Sequence, residues 1–303
     1  MMKMTKFQRE ISAVLPDTEL RFYEPMAKHT SFKIGGPAEV MAFPKSAEEL
    51  ASILKASALL DCKTAILGAG TNVLAPDVGI KGLVICLKDC MGGMERLDES
   101  RIRVGAGVTM TRAAVFAAGL GLSGMEFAHG IPGTVGGGVY MNAGAYGGEI
   151  CQICESVNVM TMDGVLTAVS GSDMGFSYRH SRLEDEGGIV VSAVFRLMPK
   201  PESQIRAQMQ ELMKRRSASQ PLDLPSAGSA FKRPTGGYAA ALIDQAGLKG
   251  FRVGDAAISD KHAGFAVNLG NATAEDVKKL LSQVSDKVFE RSGIRLEPEV
   301  RIW

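Results

Sequence analysis

The sequence lacks the features that would place it in a membrane, outside the cell or on a nucleic acid. Nowhere in its 303 residues do eighteen apolar residues follow one another, which argues against a transmembrane helix. The first residues, MMKMTKFQREISAVL, contain no apolar run or cleavage site of the kind that secretory signals have. The formal net charge is only +1, too small to attract DNA, RNA or an acidic membrane. We therefore predict a soluble, cytoplasmic protein with no nucleic-acid, membrane or obligatory protein partner.

Cysteine and histidine are also scarce, with five and four residues. An odd number of cysteines without a secretory signal favours free thiols. The pair Cys151 and Cys154 has C-x-x-C spacing, but it leads into the strand-like sequence SVNVM instead of opening a helix, as redox pairs do. A zinc site would need two further ligands at suitable spacing, and the histidines are scattered. We predict no metal site.

Helical and strand-like stretches alternate along the chain and indicate a mixed fold. The predicted helices are Phe7–Leu15, Ala47–Leu60, Met110–Ala118 capped by Gly119, Glu202–Ser217, Tyr238–Ala246 capped by Gly247, and one from Thr273 to near Gly293. The predicted strands are Glu39–Phe43, Lys63–Leu67, Leu83–Leu87, Arg101–Val104, Ser156–Met162, Val165–Val169, Ile189–Leu197, Gly264–Leu269 and Ile294–Trp303. Asp163-Gly164 predicts a hairpin. Pro199 and Pro201 mark a boundary, and we predict parts at 1–88, 89–200 and 201–303.

Glycine is abundant in one place, the segment from Gly130 to Gly148, where it supplies eight of nineteen residues. Glycine allows positive φ angles and close approach to the main chain, which suits a phosphate-bearing ligand held by amide groups. Gly35-Gly36 and the segment Gly68–Leu74 after a strand add two further glycine turns. The segment Gly68–Leu74 matches neither a dinucleotide fingerprint nor a P-loop. Together the three elements predict a long ligand, such as a dinucleotide, lying across two subdomains.

Polar residues cluster in three other places, and residue type alone leaves their roles open. Arg179 could clamp a carboxylate or phosphate, or form a surface ion pair. Ser229 and Lys232 could carry chemistry, or Ser229 could simply cap a turn. On a final strand, Glu299 would share one face with Glu297 and Arg301, which solvent exposure alone would explain.

The ordered motifs resemble one family. The motifs are HTSFKIGG, GAGTNVL, GIPGTVGG followed by MNAGAYG, YRHS, GSAFK, ISDKHAGFAVN and EVR. In this order they resemble the UDP-N-acetylenolpyruvoylglucosamine reductases, flavoenzymes of bacterial cell-wall precursor synthesis. The resemblance runs from about Glu24 to Arg301. The short connection from Ser181 to Ile189 is similar to the compact form of the family, and Arg233 stands where an asparagine is common.

The resemblance implies an α+β fold, with a two-subdomain FAD-binding domain of the vanillyl-alcohol-oxidase type and a C-terminal α+β substrate-binding domain whose last strand returns to the active site. It implies non-covalent FAD, NADPH as reductant and a UDP-sugar substrate. The implied catalytic residues are Arg179, Ser229 and Glu299. The implied cofactor-binding residues are Gly35, Gly36, Gly68, Ala69, Gly70, Thr71, Asn72, Val73, Leu74, Gly130, Ile131, Pro132, Gly133, Thr134, Gly136, Gly137, Asn142, Ala143 and Gly144. The implied substrate-binding residues are Tyr178, Arg179, Lys232, Lys261, His262 and Asn268.

Two other functions fit the same motifs less completely. An FAD-dependent alcohol or sugar oxidase of the same fold would attach flavin through a histidine or cysteine, and His29 and His129 keep that alternative open. A non-catalytic nucleotide-binding module would give Arg179, Ser229 and Glu299 no common purpose. Flavin that stays with the denatured chain would indicate the oxidase, and a colourless protein would indicate the module.

Overall fold

Helices and strands alternate along residues 3–303, the part of the chain that the computed structural model describes. The α-helices are α1 (Lys6–Val14), α2 (Ala47–Leu59), α3 (Met110–Gly119), α4 (Val135–Tyr140), α5 (Leu183–Glu186), α6 (Glu202–Ser219), α7 (Ala239–Gln245) and α8 (Ala274–Ser292). The strands of three or more residues are β1 (Leu20–Pro25), β2 (Pro37–Ala42), β3 (Thr64–Leu67), β5 (Ile80–Cys86), β6 (Met94–Arg96), β7 (Arg101–Gly105), β11 (Cys154–Met160), β12 (Leu166–Ser170), β13 (Ile189–Arg196), β15 (Ser226–Ser229), β17 (Ala256–Ile258) and β18 (Phe265–Asn268). The two-residue strands are β4 (Val73–Leu74), β8 (Leu122–Ser123), β9 (Gly144–Ala145), β10 (Gly148–Glu149), β14 (Met198–Pro199), β16 (Arg252–Val253) and β19 (Arg301–Ile302).

Local signals set the ends of α8. The Thr273 hydroxyl accepts the Asp276 amide proton and the Asp276 carboxylate accepts the Thr273 amide proton, both over 3.0 Å. Gly293 ends the helix at φ +70°. This reciprocal arrangement pairs two amide groups that the first turn of a helix leaves without partners. The predicted start and end of this helix are confirmed, and so is the hairpin of β11 and β12 around Gly164.

Two predictions of local structure are wrong. Ile294–Trp303 is not one strand: Arg301 and Ile302 pair in parallel with Val73 and Leu74, and Pro298 forms an isolated antiparallel bridge with Phe231. Pro298, which has no amide proton, lies inside the predicted strand. Gly119 is the last residue of α3 and not its cap, since Gly121 takes the left-handed conformation at φ +68°.

The first compact unit comprises the described residues up to Phe22 together with Glu39–Ala69 and Lys81–Arg215. One sheet has the order β1-β2-β5-β3, and its residues pack with α1 and α2 in a core that includes Ile11, Leu50 and Ile85. A second sheet has the order β12-β11-β13-β7-β6. Its core contains α3, α4 and Phe195. The second sheet and its core position the glycine-rich segment.

The second compact unit comprises Tyr23–Ala38, Gly70–Ile80 and Arg216–Trp303. Its four-stranded sheet has the order β15-β18-β17-β16 and packs on α7 and α8. Phe32, Ile34 and Leu74, from the two earlier segments, lie in the same core. The three consecutive parts predicted at 1–88, 89–200 and 201–303 remain a prediction, and each unit combines three separate stretches of chain.

Among residues 3–303, no helix is both long and apolar enough to cross a membrane. The same residues bring no three potential metal-ligating side chains together. All five cysteines are free thiols, with Cys151 exposed and Cys154 buried.

Candidate active site

Two glycines of the glycine-rich segment, Gly136 and Gly138, pack closely against neighbouring residues. Thr134 begins α4, and its hydroxyl accepts the Gly137 amide proton. The Gly136 amide donates to the Ala106 carbonyl over 2.9 Å, and a Cβ on Gly136 would lie 2.9 Å from the Ala106 Cβ. A Cβ on Gly138 would lie 2.7 Å from the Met110 sulfur. A side chain at Gly136 would press on Ala106, and one at Gly138 would displace the end of the Met110 side chain.

Polar atoms at the start of this segment, and in the turn that begins at Gly68, are left available to a ligand. Within residues 3–303, no acceptor receives the amide protons of the half-buried residues Gly68, Ala69, Gly130 and Gly133. The His129 Nδ1 atom is buried without a hydrogen-bond partner in the same part of the chain. Burial lowers the pKa of His129, which favours the neutral form of its ring. Unpaired amide protons and an unpaired buried nitrogen fit an anionic, heteroaromatic cofactor such as FAD.

The strand-to-loop turn at Gly68 packs directly on the glycine-rich segment. A Cβ on Gly68 would lie 2.7 Å from the Thr134 hydroxyl oxygen. Gly133 has φ +132°, which a residue with a side chain rarely adopts. The other predicted cofactor residues of this segment vary in exposure: Pro132 and Gly137 are exposed, Ile131, Ala143 and Gly144 are half-buried, and Asn142 is buried.

In the second unit, Gly35-Gly36 and Gly70–Leu74 belong to one network of main-chain contacts. The Gly36 amide donates to the Pro76 carbonyl over 2.9 Å, and Ser31 donates to the Gly70 carbonyl over 3.1 Å. A Cβ on Gly36 would collide with the Asp77 carbonyl, and one on Gly70 with the His29 carbonyl. Thr71, Asn72 and Val73 are half-buried, whereas Leu74 is a core residue.

The structure brings Ser229, Lys232 and Glu299 onto adjacent stretches of chain. Ser229 is the exposed last residue of β15. The Glu299 amide donates to the carbonyl of Ala230 over 3.0 Å, and the Lys232 amide donates to the Glu297 carbonyl over 2.8 Å. The Lys232 ammonium also forms an ion pair with Glu297. Two of the three predicted catalytic residues are thus neighbours in the second unit.

Arg179, the third predicted catalytic residue, belongs to the first unit and occupies a tight turn. Ser177 and His180 close the turn by reciprocal main-chain hydrogen bonds, and Arg179 has φ +56°. Its guanidinium lies 5.0 Å from the centre of the exposed Tyr178 ring, and its Nη2 donates to the Gly144 carbonyl over 3.4 Å. The turn therefore holds this cation against the glycine-rich segment.

The remaining predicted substrate-binding residues have different environments. The Lys261 Nζ atom donates to the Ser217 carbonyl over 2.6 Å. His262 accepts the Gly264 amide proton and meets Phe265 edge to face, and burial lowers its pKa. Asn268 is buried, donates to the Phe32 carbonyl and accepts two amide protons from Gly270 and Ala272. Its amide group thus makes three hydrogen bonds within the second unit.

Asp77 is a structural residue that the sequence motifs did not indicate. Its carboxylate accepts the amide protons of Ala274 and Glu275 over 2.8 and 3.2 Å, and so caps α8. An aspartate in a loop gives no local sign of a partner 197 residues away. It holds the segment after Leu74 to the first turn of α8.

Comparisons with known proteins agree on one family. Residues 220–303 match the family model described as UDP-N-acetylenolpyruvoylglucosamine reductase, C-terminal domain. Residues 38–170 match the model described as FAD binding domain. The predicted fold class, an FAD-binding domain followed by a C-terminal substrate domain, is confirmed by these matches and by the solved structure below.

Similar proteins cover almost the whole chain. A UDP-N-acetylenolpyruvoylglucosamine reductase of Agathobacter rectalis is 44% identical over 98% of this chain and 98% of its own length. That of Streptococcus pneumoniae is 43% identical over 95% of each chain. The crystal structure of UDP-N-acetylenolpyruvylglucosamine reductase from Thermus caldophilus is 37% identical, has a TM-score of 0.79, and matches over 94% of this chain and 98% of that one.

Proposed function

This chain belongs to the UDP-N-acetylenolpyruvoylglucosamine reductase family, and we propose that Arg179, Ser229 and Glu299 act on its substrate. The protein is an FAD-dependent oxidoreductase that uses NADPH to reduce the enolpyruvyl group of UDP-N-acetylglucosamine enolpyruvate to the lactyl ether of UDP-N-acetylmuramate. The reaction belongs to peptidoglycan precursor synthesis. We further propose that it proceeds in the cytoplasm without an obligatory protein partner. The oxidase and the non-catalytic module considered from the motifs are set aside by the family assignment.

We propose that the segments 35–36, 68–74 and 130–144 hold FAD without a covalent bond. The support in the first unit is the set of amide protons without acceptors at Gly68, Ala69, Gly130 and Gly133, together with the unpaired His129 Nδ1 atom. These groups would donate to phosphate or polar ring atoms. When bound, FAD supplies the hydride that it has received from NADPH.

The chemistry at the substrate needs a proton donor and groups that stabilise negative charge. Addition of hydride to the methylene carbon leaves charge on the neighbouring carbon and on the carboxylate conjugated with it. The Arg179 guanidinium matches a carboxylate through two parallel N–H groups. Glu299 would contribute a further hydrogen bond to the same charge. Ser229 then gives its hydroxyl proton to the carbon, which requires a strongly basic acceptor at close range.

The observation that carries this assignment is the hydrogen bond between the Glu299 amide and the carbonyl of Ala230, next to Ser229. It fixes two of the residues on adjoining main chain, with the Ser229 side chain exposed at the end of its strand. We propose that Tyr178, Lys232, Lys261 and His262 contact the substrate. For Asn268, whose amide makes three hydrogen bonds within the protein, we propose that it shapes the site by holding the Phe32 segment.

The test is to replace Ser229 with alanine and follow flavin absorbance by stopped flow. Ser229→Ala should bind FAD and be reduced by NADPH as the wild type is. Reoxidation by the UDP-enolpyruvyl sugar should slow by about 10²–10⁴-fold, as expected for a lost general acid. Ser229→Cys should retain part of the rate, since a thiol also donates a proton.

Ser226→Ala is the matched control, because Ser226 belongs to the same strand and its hydroxyl donates to the Gly228 carbonyl. It should leave both half-reactions unchanged. Ordinary reoxidation in a folded Ser229→Ala protein would end the assignment of Ser229 as proton donor.

A further inference from the structure

Two asparagines of the predicted cofactor segments turn their side-chain amides into the protein. Asn142 lies in the glycine-rich segment of the first unit, and Asn72 lies in the 68–74 segment of the second. Each donates to a main-chain carbonyl within two residues of a proposed catalytic residue. The same device therefore recurs in both units, at residues that the family resemblance assigns to the cofactor.

Asn142 is buried and its amide is fully engaged. Its Nδ2 group donates to the Ser177 carbonyl over 3.0 Å and to a Glu149 carboxylate oxygen over 3.2 Å. Its Oδ1 atom accepts the Cys151 amide proton over 2.9 Å. Ser177 is the first residue of the turn that carries Arg179. A displacement of the Ser177 carbonyl would therefore move the guanidinium two residues later.

Asn72 holds the main chain that directly follows the Glu299 side chain. Its Nδ2 group donates to the Glu299 carbonyl over 3.2 Å, and its own carbonyl accepts the Arg301 amide proton over 2.9 Å. The Glu299 amide, at the other end of the same residue, donates to Ala230. Glu299 is thus fixed between the cofactor segment and the strand that ends at Ser229.

We propose that Asn142 and Asn72 are positioning residues, which set the places of Arg179 and Glu299 through these carbonyls. The inference rests on the proposed function, because the asparagines act through those two side chains. Their contribution to cofactor binding is then made by main chain alone. A catalytic group displaced by about 1 Å loses up to about 100-fold in rate, which makes such supports necessary.

The test in the first unit uses Asn142→Gly and Asn142→Asp as flavin-loaded holoenzymes. Asn142 has φ +42°, a conformation that glycine and aspartate also tolerate. Glycine removes all three side-chain bonds. Aspartate keeps the acceptor for Cys151 but directs an oxygen at the Ser177 carbonyl. We expect FAD affinity and reduction by NADPH to stay near wild type, while reoxidation by substrate slows about 10- to 100-fold in both.

Asn158→Ala is the control in this unit, because the Asn158 amide donates to the Ser192 hydroxyl between two strands of the sheet. It removes an interaction of the same kind and should change neither half-reaction. In the second unit, Asn72→Ala should likewise slow only reoxidation. Its control is Asn271→Ala, which removes a side-chain bond to Asp255.

Double variants show whether each asparagine acts through its partner. Arg179→Lys combined with Asn142→Gly should be little slower than the worse single variant, because both changes disturb one group. Fully multiplicative losses, or normal reoxidation in folded Asn142→Gly and Asn72→Ala, would overturn the proposal. Equal slowing of both half-reactions, or a matching loss of FAD affinity, would also overturn it, since either outcome makes the asparagines cofactor ligands.

The proposed function would be contradicted by a different result from the one that contradicts the positioning role. Normal reoxidation in Arg179→Lys would remove the catalytic role of Arg179 and the positioning role of Asn142 with it. Slow reoxidation in Arg179→Lys beside a normal Asn142→Gly would reject only the positioning role.

Discussion

Buried polar atoms divide the residues of the candidate site into two kinds. The amides of Asn268 and Asn142 each make three hydrogen bonds to protein partners. The His129 Nδ1 atom, by contrast, is buried and meets no partner within residues 3–303. An unpaired buried polar atom is costly, so it marks a place where a ligand is expected to bind. Residue type alone does not distinguish the two kinds, since partners come from distant parts of the chain.

A substitution at Arg179 can separate the effect of its positive charge from the effect of its planar guanidinium group. Arg179→Lys keeps the positive charge but replaces the planar fork with a single ammonium group. If the fork holds the substrate carboxylate, reduction of the flavin by NADPH should remain normal and reoxidation by substrate should slow. Stopped-flow absorbance on each half-reaction measures the two effects separately.

Arg182→Lys provides the comparison for this substitution. Arg182 lies three residues later and forms an exposed ion pair with Glu186, which is of little consequence for stability. Both half-reactions should keep wild-type rates in this variant. An Arg179→Lys protein that lost both half-reactions equally would instead assign Arg179 to structure or to NADPH binding.

At the scale of elements, sequence was informative where the signal was local. The ends of α8 follow from Thr273, Asp276 and Gly293, which lie within the helix termini themselves. The final strand was wrong because its residues pair with two segments far away in the sequence, Pro298 with Phe231 and Arg301–Ile302 with Val73–Leu74. The glycine-rich segment was found from composition, yet the reason for each glycine was not visible there. Gly136 packs against Ala106, whereas Gly137 is exposed.

That difference between adjacent glycines of α4 gives a prediction about stability. Alanine is favoured over glycine within a helix by about 1 kcal/mol. At Gly137 the new Cβ would be 3.6 Å from its nearest neighbour, so Gly137→Ala should be neutral or stabilising by up to about 1 kcal/mol. At Gly136 it would lie 2.9 Å from Ala106, and such overpacking costs about 1–3 kcal/mol.

Thermal and urea unfolding of the two apoproteins would measure the difference without the stabilising effect of bound flavin. Gly136→Val should be more damaging still and yield apoprotein or unfolded chain, because its branched side chain adds further atoms at the same contact. Equal unfolding midpoints for Gly136→Ala and Gly137→Ala would contradict the close packing of α4.

At the scale of the whole molecule, the chain enters each compact unit more than once. The second unit draws on Tyr23–Ala38 and Gly70–Ile80 as well as its C-terminal stretch. Composition and the prolines at 199 and 201 predicted consecutive parts. Such prolines mark a boundary in the local sequence but do not show which distant segments pack together. The return of early segments to a late core is set by hydrophobic contacts between residues some two hundred positions apart. The hydrophobic periodicity of one segment does not indicate which distant segment it contacts.

This arrangement predicts that residues 216–303 will not fold by themselves. The isolated fragment would lack Phe32, Ile34 and Leu74, which are at most 3% exposed in the core of the second unit. Burial of such side chains contributes about 1.5–3 kcal/mol each, and the total of roughly 5–9 kcal/mol compares with the whole stability of a typical domain. The fragment would also lose the Asp77 cap of α8 and the strand partner of β19.

The experiment compares that fragment with a chain in which 23–38 and 70–80 are joined to 216–303 by short glycine–serine linkers. We expect the joined chain to unfold cooperatively in urea and to protect the amide protons of α8 from exchange. The bare fragment should show neither property. To test the core directly, Phe32→Ala in the joined chain should cost about 3–5 kcal/mol, as removal of a buried phenylalanine does. If the bare fragment unfolds with the same midpoint as the joined chain, the early segments are dispensable and the second unit is a continuous domain.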